Sequence, residues 1–73
     1  MYQLPVVIEK DEDGYYAYCP VLEGCQTQGD TYEEVLLHIK EAISLYISTL
    51  SETEKSEILK KDTTTMLVGV RVA

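Results

Sequence analysis

Apolar and polar residues alternate through the first third of this chain, and then the period changes. Over residues 2–9, Leu4, Val6 and Ile8 fall on one side and Pro5 and Val7 on the other, a period of two that predicts a strand. Pro5 has no N–H to give a ladder, so it belongs near a strand start or an unpaired edge. Asp11-Glu12-Asp13-Gly14 is a polar turn. Alternation resumes over 15–19, with Tyr15, Ala17 and Cys19 opposite Tyr16 and Tyr18. Pro20 to Gly24 is a second turn, and Cys25 to Gln28 a short third strand. These three elements predict an antiparallel meander.

The period lengthens after Gly29. Val35, Leu36, Ile39, Ala42, Ile43, Tyr46, Ile47 and Leu50 recur at steps of three and four, which describes one face of a long helix. Leu37 lies off that stripe. Thr31 and Glu34 have capping-box spacing, and Asp30, Glu33 and Glu34 suit the positive end of the helix dipole. Ser51 and Glu54 repeat the spacing, so a short second helix is expected over 52–60. Met66, Val68, Val70 and Val72 alternate again and predict a last strand over 65–72. The expected fold is α/β (α+β), in the order β-β-β-α-(α)-β, as a single domain over residues 1–73. The long helix covers one sheet face, and its crossover lets the last strand run parallel to the first. The other face is left open and carries Tyr16, Tyr18, Val7 and Leu67, which suits a partner surface or the inside of an oligomer.

Composition narrows the function classes. At 45% hydrophobic content the 73 residues are too apolar for a disordered tail. Six basic residues against thirteen acidic ones give a net charge of −7, which argues against direct binding to nucleic acid phosphates and for a basic protein partner. No stretch approaches the ~20 apolar residues of a membrane helix. The start, MYQLPVVIEK, lacks the basic and apolar regions of a signal peptide, so a cytoplasmic chain is expected. A domain this small gains stability from oligomerisation, and a homo-oligomer, dimer or tetramer, is expected.

No constellation carries evident chemistry. With Gly14 at the sixth position of an EF-hand loop, Glu9, Asp11 and Asp13 take the first, third and fifth, but Pro20 occupies the twelfth, that of the bidentate carboxylate. A solvated acidic turn is the reading, and no metal or cofactor is expected. His38 and the two cysteines, Cys19 and Cys25, show no nucleophile motif. The thiols read as small buried residues, kept reduced in a cytosolic chain.

The run Asp13-Gly14-Tyr15-Tyr16, Pro20-x-x-x-Gly24-Cys25, Gln28-Gly29-Asp30-Thr31-x-Glu33-Glu34 and Lys40-Glu41-Ala42 resembles the N-terminal domain of the HicB antitoxins. Val35 stands where the family pattern has alanine. The resemblance implies a degraded ribonuclease-H-like β-β-β-α-β sheet. It also implies a non-catalytic protein that binds a small basic HicA-like toxin and masks its mRNA-cleaving site. The C-terminal DNA-binding domain of family members is not expected within these residues. The nuclease chemistry of the parent fold needs an acid in the middle of the first strand, where Pro5-Val6-Val7-Ile8 stands. Candidate partner-binding residues are Asp11, Glu12, Asp13, Tyr16, Tyr18, Glu33 and Glu41. The alternative is a stand-alone small-ligand-binding or structural oligomer with no toxin partner.

Overall fold

The computed structural model describes residues 3–72. Tyr2, the first residue of the expected first strand, lies outside them. Strands β1 (Val7–Asp11), β2 (Gly14–Tyr18) and β3 (Gln26–Gly29) form an antiparallel sheet in the order β1-β2-β3. Helices α1 (Tyr32–Ser48) and α2 (Glu52–Leu59) follow. The meander and both helices are those expected, but β1 runs Val7–Asp11 and not over 2–9, so residues 3–6 are not strand; β2 lies one residue earlier than 15–19 and β3 one residue later than 25–28.

Register assigns the faces. Val7 is paired with Tyr18, Glu9 with Tyr16, Tyr16 with Gln28 and Tyr18 with Gln26, and these residues share the outer face. Ile8, Ala17 and Thr27 lie across from one another on the inner face. Ala17, Cys19, Leu22, Cys25, Val35 and Ile39 are buried, and Leu4, Val6, Ile8 and Tyr15 pack around them with the α1 stripe. Leu37 is exposed, as its place off that stripe requires.

Two glycines set the geometry where sheet, turn and helix meet. Gly14 closes the β1–β2 turn at φ +133°, and a Cβ there would stand 2.9 Å from the Gly29 carbonyl oxygen. Asp11 Oδ1 accepts the Asp13 N–H at 2.8 Å in the same turn. At Gly29 a Cβ would stand 2.8 Å from the Val35 amide nitrogen, so β3 and the first turn of α1 meet backbone to backbone.

Thr31 caps α1 by accepting the Glu34 N–H at 3.1 Å. Ser51 and Glu54 form the reciprocal box on α2, where the Ser51 N–H also donates to Glu54 Oε1 at 2.9 Å. That contact holds the Glu54 carboxyl below the usual carboxylate range. The cap is therefore complete above the ordinary glutamate pKa and fades as pH falls through the lowered value.

The turn from Pro20 to Gly24 is more than a connection. Cys19 N–H donates to the Cys25 carbonyl (3.0 Å), Leu22 N–H to the Cys19 carbonyl (3.1 Å) and Cys25 N–H to the Leu22 carbonyl (3.0 Å). These bonds drive Leu22 into the core, where it is 1% exposed.

The last strand expected over 65–72 is not formed, so the order is β-β-β-α-α and not β-β-β-α-β. The pattern has the period of a strand, but a strand needs a neighbour to satisfy its backbone. Among the described residues, none pairs with 65–72. Met66, Val68, Val70 and Val72 are 69, 70, 77 and 86% exposed. Leu67 is fully exposed, so it does not lie on the open sheet face as expected.

Gly29→Ala is expected to destabilise the fold by about 1–3 kcal/mol, the range for forcing a methyl into a closed contact. A lowered urea midpoint at unchanged slope would show it. Ser51→Ala is expected to cost α2 about 1 kcal/mol of helix stability. Backbone chemical shifts over 52–59 should move toward coil while those of α1 hold.

Candidate functional site

Among the described residues, the outer sheet face has no helix over it and carries one sign of charge. Glu9, Tyr16 and Gln28 run across it in one row, and Val7, Tyr18 and Gln26 in the next. Tyr16 and Tyr18 rings lie 5.8 Å apart, tilted by 39°. The Tyr16 hydroxyl donates to Gln26 Oε1 at 2.7 Å, which lays the ring along the sheet. Lys10, the cation of β1, alternates to the inner side, with its Nζ 5.7 Å from the Tyr15 ring centroid. Alternation thus leaves the paired rows of this face without a lysine or arginine.

A hollow of about 520 Å³ adjoins the face where the β1–β2 turn meets the start of α1. Asp11, Asp13, Asp30, Glu34, Tyr15 and Tyr16 line it, with no basic residue among its walls. A shallower hollow of about 370 Å³ continues past Tyr16 and Tyr18 to Pro20, Glu23 and Gly24. Tyr16 belongs to both, so aromatic and acidic surface are contiguous. Tyr15 meets Tyr32 edge to face at 6.2 Å and ties this end of the sheet to α1.

The structure brings together five of the seven residues singled out in the sequence. Asp11, Glu12 and Asp13 are exposed at the turn beside Tyr16, and Tyr18 follows along β2. Glu33 is exposed in the first turn of α1. Glu41 lies elsewhere, exposed with Lys40, Ser44 and Leu45 along the helix. Three acids were missed. Glu9 shares the Tyr16 row by strand alternation, a signal present in the sequence. Asp30 and Glu34 come to the turn through the close Gly14–Gly29 and Gly29–Val35 approaches, which have no one-dimensional trace.

His38 Nδ1 lies 2.9 Å from the Gln28 carbonyl oxygen, a bond the ring makes with its proton on Nδ1. The histidine fastens α1 to β3. Cys19 and Cys25 are buried, free thiols. Burial pushes both thiols up; backbone hydrogen bonds from Val21 and Leu22 partly offset this at Cys19, and the charge of Cys19 adds to it at Cys25. Among the described residues no group of three or more His, Cys, Asp or Glu is placed to hold a metal ion. No described helix is long and apolar enough to cross a membrane.

Residues 4–68 match the family described as "HicB_like antitoxin of bacterial toxin-antitoxin system". The chain belongs to the HicB-like antitoxin family. Among its relatives, a UPF0150 protein of Helicobacter pylori is 54% identical over 56 residues, covering 77% of this chain and 78% of that one. A UPF0150 protein of Synechocystis is 48% identical over 63 residues, covering 85% and 78%. One from Thermoplasma acidophilum is 56% identical over 48 residues, covering 64% and 70%. No solved structure matches the chain. The match to the HicB-like family starts at Leu4, before β1, and reaches Val68, well into the exposed tail.

Unfolded thiols release their protons near pH ~8.5, whereas the folded HicB-like chain retains its own. Its stability should therefore fall as pH rises above that value. A Cys19→Ala/Cys25→Ala variant should show a flatter fall in urea midpoint between pH ~8.5 and ~10, before tyrosines and lysines titrate.

Proposed function

We propose that this chain neutralises a small basic HicA-like toxin by stoichiometric occlusion of its mRNA-cleaving site, with no chemistry of its own. The observation that carries the reading is the uncovered outer sheet face, where Glu9 and Asp11 stand beside Tyr16 and Tyr18 with no cation among them. Family membership supports an antitoxin role, and the net charge of −7 suits a cationic partner. Acid at the rim raises the rate of encounter, and tyrosines at the centre supply area that few other side chains match. The turn acids Asp11, Glu12 and Asp13, with Asp30 and Glu34 behind them, form the acidic side of this interface, and Glu33 extends it onto the helix. Glu41 stands apart from it. The protein acts in the cytoplasm, as a homo-oligomer, on a protein partner and not on nucleic acid. The ribonuclease-H-like sheet belongs to this reading as its ancestry.

The product of a small basic reading frame beside this gene is the probe. Calorimetric titration should give a 1:1 complex of chains that weakens with added salt. Tyr16→Ala/Tyr18→Ala should weaken binding by about 30-fold or more, the scale of an aromatic hot spot. Glu9→Lys/Asp11→Lys should slow association and abolish toxin rescue on co-expression. No binding, or binding indifferent to all four positions, would sink the reading.

A further inference from the structure

The inner side of the sheet is closed at one edge and open at the other. α1 packs against β3 and β2. On the β1 side it stands away from residues 3–6, and a groove of about 820 Å³ opens between them. Its walls are mainly apolar, Leu4 and Val6 on one side and Leu36, Ile39, Ile43 and Ile47 on the other, with Lys40 as the one charged residue. β1 is an edge strand, so alternate backbone groups point away from β2 with no strand to meet them. An apolar trough thus opens beside residues 3–6, just ahead of the free edge of β1.

The tail has the properties of that strand. Met66, Val68, Val70 and Val72 form one apolar face at strand period, and all are exposed. From Leu36 to Ile47 the helical wall runs ~18 Å, which five or six extended residues span.

The link to the tail argues against a turn back into the chain's own groove. α2 occupies the end of the trough, where Ile58 and Leu59 meet Leu4, Ile47 and Leu50. From Lys60 to Thr65 the link contains no glycine or proline to reverse it, and ends in three β-branched threonines that favour extension. The last bond among the turn and cap contacts is Lys61 N–H to the Ile58 carbonyl at 3.2 Å, and the residues that follow to 72 are exposed. Charge suits a second copy equally well. Residues 60–72 carry three basic groups and one acidic, and residues 1–59 carry three basic and twelve acidic. The tail of one copy is thus the opposite in charge to the body of the next.

We infer that two copies exchange tails: residues 65–72 of each enter the groove of the other and pair with its β1 as a fourth strand. The step is β-augmentation, with backbone bonds along the edge and alternate apolar side chains in the trough. The inference deepens the homo-oligomer reading above and does not depend on toxin binding.

The test uses the 73-residue chain. Isotope-labelled and unlabelled copies are co-refolded, and filtered NOE spectra are recorded. Contacts from Val68 and Val70 methyls to Leu36 and Ile43 methyls are expected between labelled and unlabelled copies, in a species of twice the chain mass by light scattering. The same contacts confined to one copy, or a monomer mass, would overturn the exchange. A V68D/V70D variant should become monomeric with its α1 helicity kept. A variant that folds and stays dimeric would overturn the exchange and leave the homo-oligomer reading standing. If the variant fails to fold, the NOE pattern of the unaltered chain decides alone.

Discussion

A Cβ at Gly29 would stand 2.8 Å from the Val35 amide nitrogen, so α1 can start where it does only because that position carries no side chain. The rest of the molecule follows from this contact. It draws the first turn of the helix onto the end of β3, and Val35 and Ile39 come to rest on Ala17, Cys19 and Cys25. All three partners are small. The His38 bond to the Gln28 carbonyl holds the same seam from the side. A larger residue anywhere along it would lift the helix and open a void in a core with few residues to spare.

Seating the helix at β3 has a cost at the other edge. The stripe of α1 is wider than three strands can cover. Val35 and Ile39 are consumed by the seam, but Leu36, Ile43 and Ile47 stay half-buried above a trough. Burying one such side chain is worth about 1.5–3 kcal/mol, and a domain of this size is stable by only a few times that. The chain therefore leaves a substantial part of its available stabilisation unrealised when alone, in the trough and on the tail alike. The two deficits match in apolar character and in length.

The strands and helices were legible because their periods are local properties. Alternation placed Tyr16 and Tyr18 outside and Ala17 and Cys19 inside, and steps of three and four placed the α1 stripe. Leu22 was not legible as core, because three backbone bonds between Cys19, Leu22 and Cys25 turn it inward. An apolar Val21-Leu22 pair in a supposed surface turn was the available signal. The acidic hollow was half legible. Asp11 and Asp13 are neighbours in sequence, but Asp30 and Glu34 join them only across the glycine contacts. The fourth strand does not form: Met66, Val68, Val70 and Val72 alternate at strand period but stay exposed, since a pattern specifies which face is apolar and not that anything covers it.

The two surfaces are connected through the pleat. A fourth strand at β1 that turns Met66, Val68, Val70 and Val72 into the trough must turn Leu67 and Arg71 to the opposite side. That side is the face of Val7, Glu9, Tyr16 and Tyr18. Exchange would thus extend the open face by one strand and add an apolar side chain and a guanidinium from a second copy. The guanidinium would stand near the acids of β1, where it would offset part of their repulsion when the face is free. A basic partner arriving at the same acids would compete with it. Oligomer and partner would then meet at one border, and binding at the face would sense whether the fourth strand is in place.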